Sequence, residues 1–284
     1  MTKLTVAVVG SVNLDIVARV DRFPVPGETM TNAEVKRFPG GKGANQAMAA
    51  HRLGAQVTLL ACLGTDFMAK EALASLAEEG VNLDCCQYLD GVNTGLALIL
   101  VTKDGENQIV VAPGANAAFL PHLLNVPEAG LVIAQLELPM ETVLRAAKGS
   151  KGFFCLNAAP AKPVPQFVLD HTDLLVVNEI EAQTLGSGLD NFNGWLATTY
   201  GAEGAVLKKN GEEVARVKPP HIEAVDTTGA GDAFTAALAV SMAQGMAPQS
   251  ALRRACIAGA ITATRQGAQS SPSMIELLEA ESES

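Results

Sequence analysis

The sequence predicts an α/β protein: a mainly parallel central sheet, helices on both of its faces, and a small β-sheet lid. Three observations carry this. Short apolar runs at 5–10, 56–64, 131–137, 153–157 and 174–178 recur between helix-patterned segments, as buried parallel strands do. A hairpin pattern at 94–114 and a proline-broken stretch at 12–38 stand outside that alternation. The last third of the chain is largely helical in pattern.

Taken in order, TVAVVG (5–10) is a β-branched run that meets Gly10 and Asn13 too soon for a signal peptide, so it reads as the first buried strand. Residues 12–38 read as short strands and turns outside the main sheet. A helix is expected over 43–54, closed by Gly54, and then one buried strand over QVTLLACLG (56–64). The next helix, 66–80, places Phe67, Ala72, Leu73 and Leu76 at periodic apolar positions. In 94–114 two apolar runs flank Lys103-Asp104-Gly105-Glu106, and Asp-Gly is a strong hairpin signal. A strand at 131–137, a helix near 140–148, strands at 153–157 and 174–178 and a further strand at 205–208 follow. Helices at about 231–245, 248–265 and 273–281 complete the chain, with Pro248 suited to a first turn and Gly267 to a position past a helix end. The tail EAESES reads as a solvated acidic end. The expected organisation is one domain over 1–284, with the lid drawn from roughly 12–38 and 93–113.

Composition narrows the function classes. The chain has 284 residues, 48% hydrophobic and 18% charged, which suits one large globular core. Its net charge of −10 is no nucleic-acid footprint, so any phosphate must be bound in a local pocket. No apolar run is long enough to span a membrane without interruption. Five cysteines, an odd number without CxxC spacing, argue against a disulfide or metal scaffold and fit a reducing cytoplasm. GxSxG, HExxH and GxGxxG are absent, and the four histidines lack metal-ligand spacing.

In open α/β sheets, ligands lie beyond the carboxyl ends of the strands. Polar residues gather there: Asn13 and Asp15 after the first strand, Glu137 after 131–137, Asn178 and Glu181 after 174–178. Each alone has a structural explanation as a cap or a solvated turn. AVDTTGAGDAF (224–234) sets small residues and Asp232 at the start of an apolar helix. Unobstructed first-turn N–H groups make an anion pocket there, beside which Asp232 can take a proton; an ordinary tight turn is the alternative. GGKGANQ (40–46) is neither a P-loop nor a dinucleotide fingerprint. Its glycines permit close backbone approach, and Asn45 offers a donor and an acceptor to hydroxyls, or the segment is a plain loop-to-helix joint.

GGKGANQA (40–47) and DTTGAGDAF (226–234) together resemble the two signatures of the ribokinase-like (PfkB-type) carbohydrate kinases, and the similarity runs from GSVNLDIV to TRQGAQSSPS. The resemblance implies a three-layer α/β/α body with a β lid. It implies transfer of the γ-phosphate of MgATP to the 5-hydroxyl of a small sugar, D-ribose above others. Asn13, Asp15, Gly40, Gly41, Lys42, Asn45 and Glu137 match the sugar-binding set. Asp232 matches the catalytic base, and Gly229, Ala230 and Gly231 the anion hole. Asn178 and Glu181 match the residues that organise phosphate and Mg2+ through water. Thr199, Gly201, Gly204 and Cys256 match the nucleotide pocket. Asp226, Thr228, Thr262, Arg265, Gly267 and Ser271 match a monovalent cation site, usually for K+. A homodimer through the lid is also implied.

Occupying that cation site is expected to fix the anion-hole loop, since residues 226–228 belong to both. Asp232 is expected to be a weak base, because a helix N-terminus favours its ionised form. One departure from the family pattern is the short stretch between Asn178 and Thr199, where Trp195 to Thr199 is expected to keep the strand and the helix to be lost or reduced to a turn, leaving the sheet less covered. The competing readings are a deoxyribose, fructose or nucleoside kinase of the same family, and a non-catalytic sugar-responsive module.

Overall fold

The computed structural model describes residues 3–104, 106–189 and 192–283. Along the chain come β1 (Thr5–Val9), β2 (Asn13–Arg19), β3 (Glu34–Gly40), α1 (Lys42–Arg52), β4 (Gln56–Leu60), β5 (Cys62–Gly64), α2 (Phe67–Glu79) and β6 (Gln87–Leu89). Then come β7 (Gly95–Val101), β8 (Asn107–Ala112), α3 (Ala115–Ala118), β9 (Leu131–Gln135), α4 (Met140–Gly149), β10 (Phe153–Asn157), α5 (Gln166–Asp170) and β11 (Leu174–Asn178). The remainder is α6 (Glu179–Leu185), β12 (Trp195–Thr199), β13 (Ala205–Lys209), β14 (Glu212–Val217), α7 (Ala230–Ala243), α8 (Pro248–Ala263) and α9 (Met274–Glu283).

The main sheet has eight strands in the order β14-β13-β12-β11-β10-β9-β1-β4. It is parallel from β4 to β12 and antiparallel at β13 and β14. Side chains alternate between two cores, as a period of two requires. Val6, Val8, Leu131 and Ile133 pack towards α1, α2, α7 and α8, while Ala7, Val9, Val132 and Ala134 pack towards α4 and α5. Both faces are covered, so the strands are continuous apolar runs. The run from Ala233 to Val240 in α7 is buried throughout, which is why its sequence is apolar all round. The helix therefore carries Asp232, at its first turn, into the interior.

A second sheet, in the order β3-β2-β7-β8, forms beside this body. β2 pairs antiparallel with β3 and parallel with β7, and β8 closes an antiparallel hairpin as the edge strand. The expected hairpin turn includes Gly105, which lies outside the described residues.

The structure departs from the sequence reading in several places. QVTLLACLG is two strands. The Leu60 carbonyl still accepts from Gly10 N–H, but the Ala61 carbonyl accepts from Gln87 N–H, so the chain leaves the main sheet and β5 pairs with β6. Phe67 is 70% exposed and not part of the core, whereas Ala72, Leu73 and Leu76 are buried. Phe67 follows the cap Asp66, and the inward face of α2 begins only at Ala69. β14 is unforeseen, although Asn210 (φ 51°) and Gly211 (φ 80°) form the Asn-Gly turn that β-hairpins favour. The expected strand is kept as β12, and the described residues of the shortened stretch before it form α6 and a 3-10 turn at Gly186–Leu189. The sheet is nevertheless covered there: Phe192, 7% exposed, packs in the core with Leu175 and Val177.

Candidate functional site

The site begins where β1 ends. Gly41 starts α1 at φ +90°, and a Cβ there would come within 2.8 Å of Asn13 N, Ser11 O and Val12 Cα. Only glycine admits this crossing. Gly40 lies opposite Asn13 in the β2–β3 ladder, and a side chain on it would overlap the Asp15 carboxylate. Asn13 is held by Asn116, whose Nδ2 donates to Asn13 Oδ1 (2.8 Å) and whose Oδ1 accepts from Val12 N–H (3.0 Å). Nothing local in the sequence singles out Asn116.

Glu137 follows β9 and accepts at Oε2 from Ser11 Oγ (2.5 Å) and from Lys42 N–H (3.2 Å). Lys42 extends among carboxylates. Burial acts to lower its pKa, but Asp232, Glu137, Glu181 and Asp15 outweigh that and hold it above the ordinary value. Asp15 responds oppositely: burial, then the charges of Glu137 and Asp232, push its pKa up to about 7, with Lys42 opposing. Its carboxylate accepts no hydrogen bond from the described residues.

Asp232 is 6% exposed, with both oxygens occupied. Asn45 Nδ2 donates to Oδ2 (2.8 Å) and Gln46 Nε2 to Oδ1 (2.9 Å). The expected reason for a weak base, an ionised form favoured by the helix N-terminus, is corrected here: burial raises the Asp232 pKa, and Lys42, Asn45 and Gln46 only partly pull it back. Gln46, Gln135 and Asn157 were not singled out from the sequence, yet they form one buried amide cluster with Asp232. The available signal was a polar residue closing each of the apolar runs LVIAQ and FFCLN.

Gly229 caps α7 in the left-handed region (φ 80°), its Cα so near the Ala268 carbonyl that no Cβ fits. Ala230 N–H is taken by the Thr227 carbonyl (3.2 Å), while Gly231 and Asp232 N–H have no backbone partner among the described residues. Gly231 is exposed and faces open space. A cleft of about 580 Å³ opens onto it, lined by Thr199, Gly201, Gly204, Phe234 and Cys256. The shortened stretch therefore does not displace Thr199 or Gly201 from that cleft. Asn178 and Glu181 close a capping box on α6: Asn178 Oδ1 accepts from Glu181 N–H, and Glu181 Oε2 from Asn178 N–H. Burial, first among causes, raises the Glu181 pKa.

A second cavity of about 360 Å³ reaches from Asp15 and Phe38 to Asp226, Thr228 and Gly267. Asp226 accepts from Thr228 N–H and Gly267 N–H, both at 3.0 Å. Val225 and Asp226 N–H donate to the Ala263 carbonyl at the end of α8. The carbonyls of Thr262 and Gly267 each accept from Ser270 Oγ. Ser271 Oγ is buried without a partner among the described residues. The Arg265 guanidinium pairs with Glu276 and has no acceptor atom, and its N–H donates to the Thr262 carbonyl, which leaves its own carbonyl as the oxygen it can offer. Among the described residues, no three His, Cys, Asp or Glu side chains are arranged to hold a metal.

An open α/β sheet, a glycine-opened helix N-terminus and a buried carboxylate on that helix's first turn are the parts a small-molecule kinase needs. The pfkB family carbohydrate kinase model matches residues 3–274, and the chain belongs to that family. It is 37% identical to the ribokinase of Bacillus subtilis (strain 168), over 93% of this chain and 94% of that protein. The ribokinase structure from Thermotoga maritima superimposes with a TM-score of 0.88 at 33% identity, covering 99% of this chain and 100% of that one. Arabidopsis thaliana ribokinase, solved with ribose and ATP, gives 0.87 at 30% identity, with 98% of each chain covered.

Proposed function

We propose that this protein is an ATP-dependent ribose kinase, making ribose 5-phosphate and ADP. The observation that carries the reading is Asp232: a buried carboxylate oriented by two amides, beside unpaired N–H groups of the same helix turn. Asn13, Asp15, Gly40, Gly41, Lys42, Asn45 and Glu137 form the sugar site, with Asp15 and Glu137 accepting from sugar hydroxyls. The 5-hydroxyl faces Asp232. As its oxygen bonds to the γ-phosphorus, the proton passes to Asp232 and the bond to the ADP oxygen breaks. Phosphoryl transfer is loose, so positioning and charge stabilisation supply most of the rate. The loop of Gly229, Ala230 and Gly231 cradles the growing charge, chiefly through Gly231 and Asp232 N–H, since Ala230 N–H is engaged.

Thr199, Gly201, Gly204 and Cys256 border the nucleotide. Mg2+, arriving with ATP, neutralises phosphate charge; Asn178 and Glu181 would hold it through water, which suits an ion that keeps its hydration. A monovalent cation, K+ first, fits the oxygens of Asp226, Thr228, Thr262, Arg265, Gly267 and Ser271; the orphaned Ser271 hydroxyl supports this. The exposed apolar lid residues Val35, Leu98, Ile109, Val110 and Val111 support a homodimer through the lid. Lid segments 12–38 and 93–113 act within a single domain. A cytoplasmic location fits five cysteines that are all free.

The test is ATP consumption over a panel of sugars and nucleosides with Mg2+, in K+ and in Na+. Ribose, with K+ stimulation, is the expected best substrate. Preference for deoxyribose, fructose or a nucleoside, or no sugar-dependent turnover, would displace the reading.

A further inference from the structure

Gln46, Gln135 and Asn157 form an amide cluster that the sugar and nucleotide sites do not use. Gln46 and Gln135 are fully buried and Asn157 nearly so. Gln46 Nε2 donates to Asp232 Oδ1 (2.9 Å) and to Asn157 Oδ1 (3.1 Å), while its Oε1 accepts from Gln135 Nε2 (2.7 Å). Asn157 Nδ2 donates to the Val176 carbonyl (3.3 Å). Gln135 and Asn157 are register partners at the ends of β9 and β10. The cluster thus ties α1 and the first turn of α7 to the carboxyl edge of the main sheet.

Every polar atom of the Gln46 side chain is committed, which fixes its orientation. Turning the amide over would set its oxygen against both the Asp232 carboxylate and Asn157 Oδ1, whereas Gln135, whose Oε1 has no partner among the described residues, is held less firmly. Room for the cluster is made by backbone: a Cβ on Gly10 would strike both the Gln135 amide and Gly43 Cα. Apolar side chains of similar size would fill the same volume without desolvating three amides. What the amides add is a directed donor on Asp232.

We propose that Gln46, oriented by Gln135 and Asn157, is a positioning residue that fixes the Asp232 carboxylate for the incoming hydroxyl. Asn45 holds one oxygen and Gln46 the other, so the plane of the carboxylate is set from two sides. Gln46 is neutral. It restrains the carboxylate without the charge that would deter proton acceptance, as an arginine or lysine in its place would. The charged groups facing Asp232 are Lys42 from α1, Glu137 beyond β9, Asp15 from β2 and Glu181 from α6. Gln46 is the neutral contact among them that joins Asp232 to the sheet. The proposal rests on the reading of Asp232 as proton acceptor.

The test is steady-state kinetics of Gln46→Leu, Gln135→Met, Asp232→Asn and the Gln46→Leu/Asp232→Asn double variant, with thermal melts to verify folding. Gln46→Leu is expected to lower kcat by about ten- to a hundredfold, the scale of a small misplacement, with both KM values within about threefold. The acidic limb of its kcat–pH profile moves up, because the ionised form has lost a donor. Gln135→Met removes one restraint on the Gln46 amide and gives a smaller change in the same sense. In the Asp232→Asn background, Gln46→Leu adds little further loss, as expected of a residue acting through Asp232. A folded Gln46→Leu with unchanged kcat and pH profile, a change confined to KM, or a full additive loss in the double variant overturns the proposal. If Gln46→Leu does not fold, Gln135→Met decides on the same readouts. Normal turnover in Asp232→Asn sinks instead the reading beneath it.

Discussion

Two carboxylates, Asp232 in the body and Asp15 in the lid, are buried to nearly the same degree, at 6% and 8% exposure. Their surroundings differ. Asp232 accepts from two amides and lies in the first turn of a helix packed within the body. Asp15 accepts no bond from the described residues and stands on a strand of the four-stranded sheet. One carboxylate is held by protein donors; the other lines the cavity that reaches to Asp226 and Gly267. On the proposed assignment, the first serves the chemistry and the second recognition of the sugar.

The strongest way to break this comparison is Asp232→Asn. It keeps the shape and loses proton acceptance, so turnover falls on the order of a thousandfold or more while ribose binding persists. Single-turnover phosphorylation and calorimetric ribose binding check the two halves. Asp15→Ala is expected to do the reverse, raising ribose KM by about tenfold or more with a smaller fall in kcat. In the unchanged protein, ribose KM should rise as pH falls below about 7, where Asp15 takes up its proton; a KM that stays flat from pH 8 to 5.5 would break the assignment.

A lid variant, Ile109→Glu with Val110→Lys, sharpens the same contrast. It is expected to yield a monomer in sedimentation, with a several-fold effect on ribose KM and little on Asp232 chemistry. The smallest effect is on stability. Asp15, protonated up to about pH 7 in the folded chain, loses its proton near pH 4 when unfolded. The folded state therefore binds more protons across that window, and stability falls as pH rises from about 4 to about 7. Melting of the ligand-free protein should show that slope, reduced in Asp15→Asn and by saturating ribose.

The body was legible in the sequence because its strands are buried on both faces and so appear as unbroken apolar runs. What escaped was set by distant partners. QVTLLACLG looks like one strand, and only the pairing of Ala61 with Gln87 divides it. Phe67 fits a helical stripe, but the helix turns that position to solvent. Asp232, Asn45 and the glycines were visible because they lie in two compact motifs. Gln46 lies in one of those motifs, but its role depends on Gln135 and Asn157, 89 and 111 residues away. Asn116 is likewise 103 residues from the Asn13 side chain it restrains. Burial of Asp232 deep enough to raise its pKa was also a property of packing and not of the local sequence.

β2 holds Asn13 and Asp15, starts four residues after β1 ends, and is hydrogen-bonded along its length to β3 and β7. Any rocking of that sheet must carry both side chains with it, since they ride on its own backbone. Asn13 and Asp15 therefore keep one spacing to each other on β2, and can shift against Glu137 and Asp232 only as a pair.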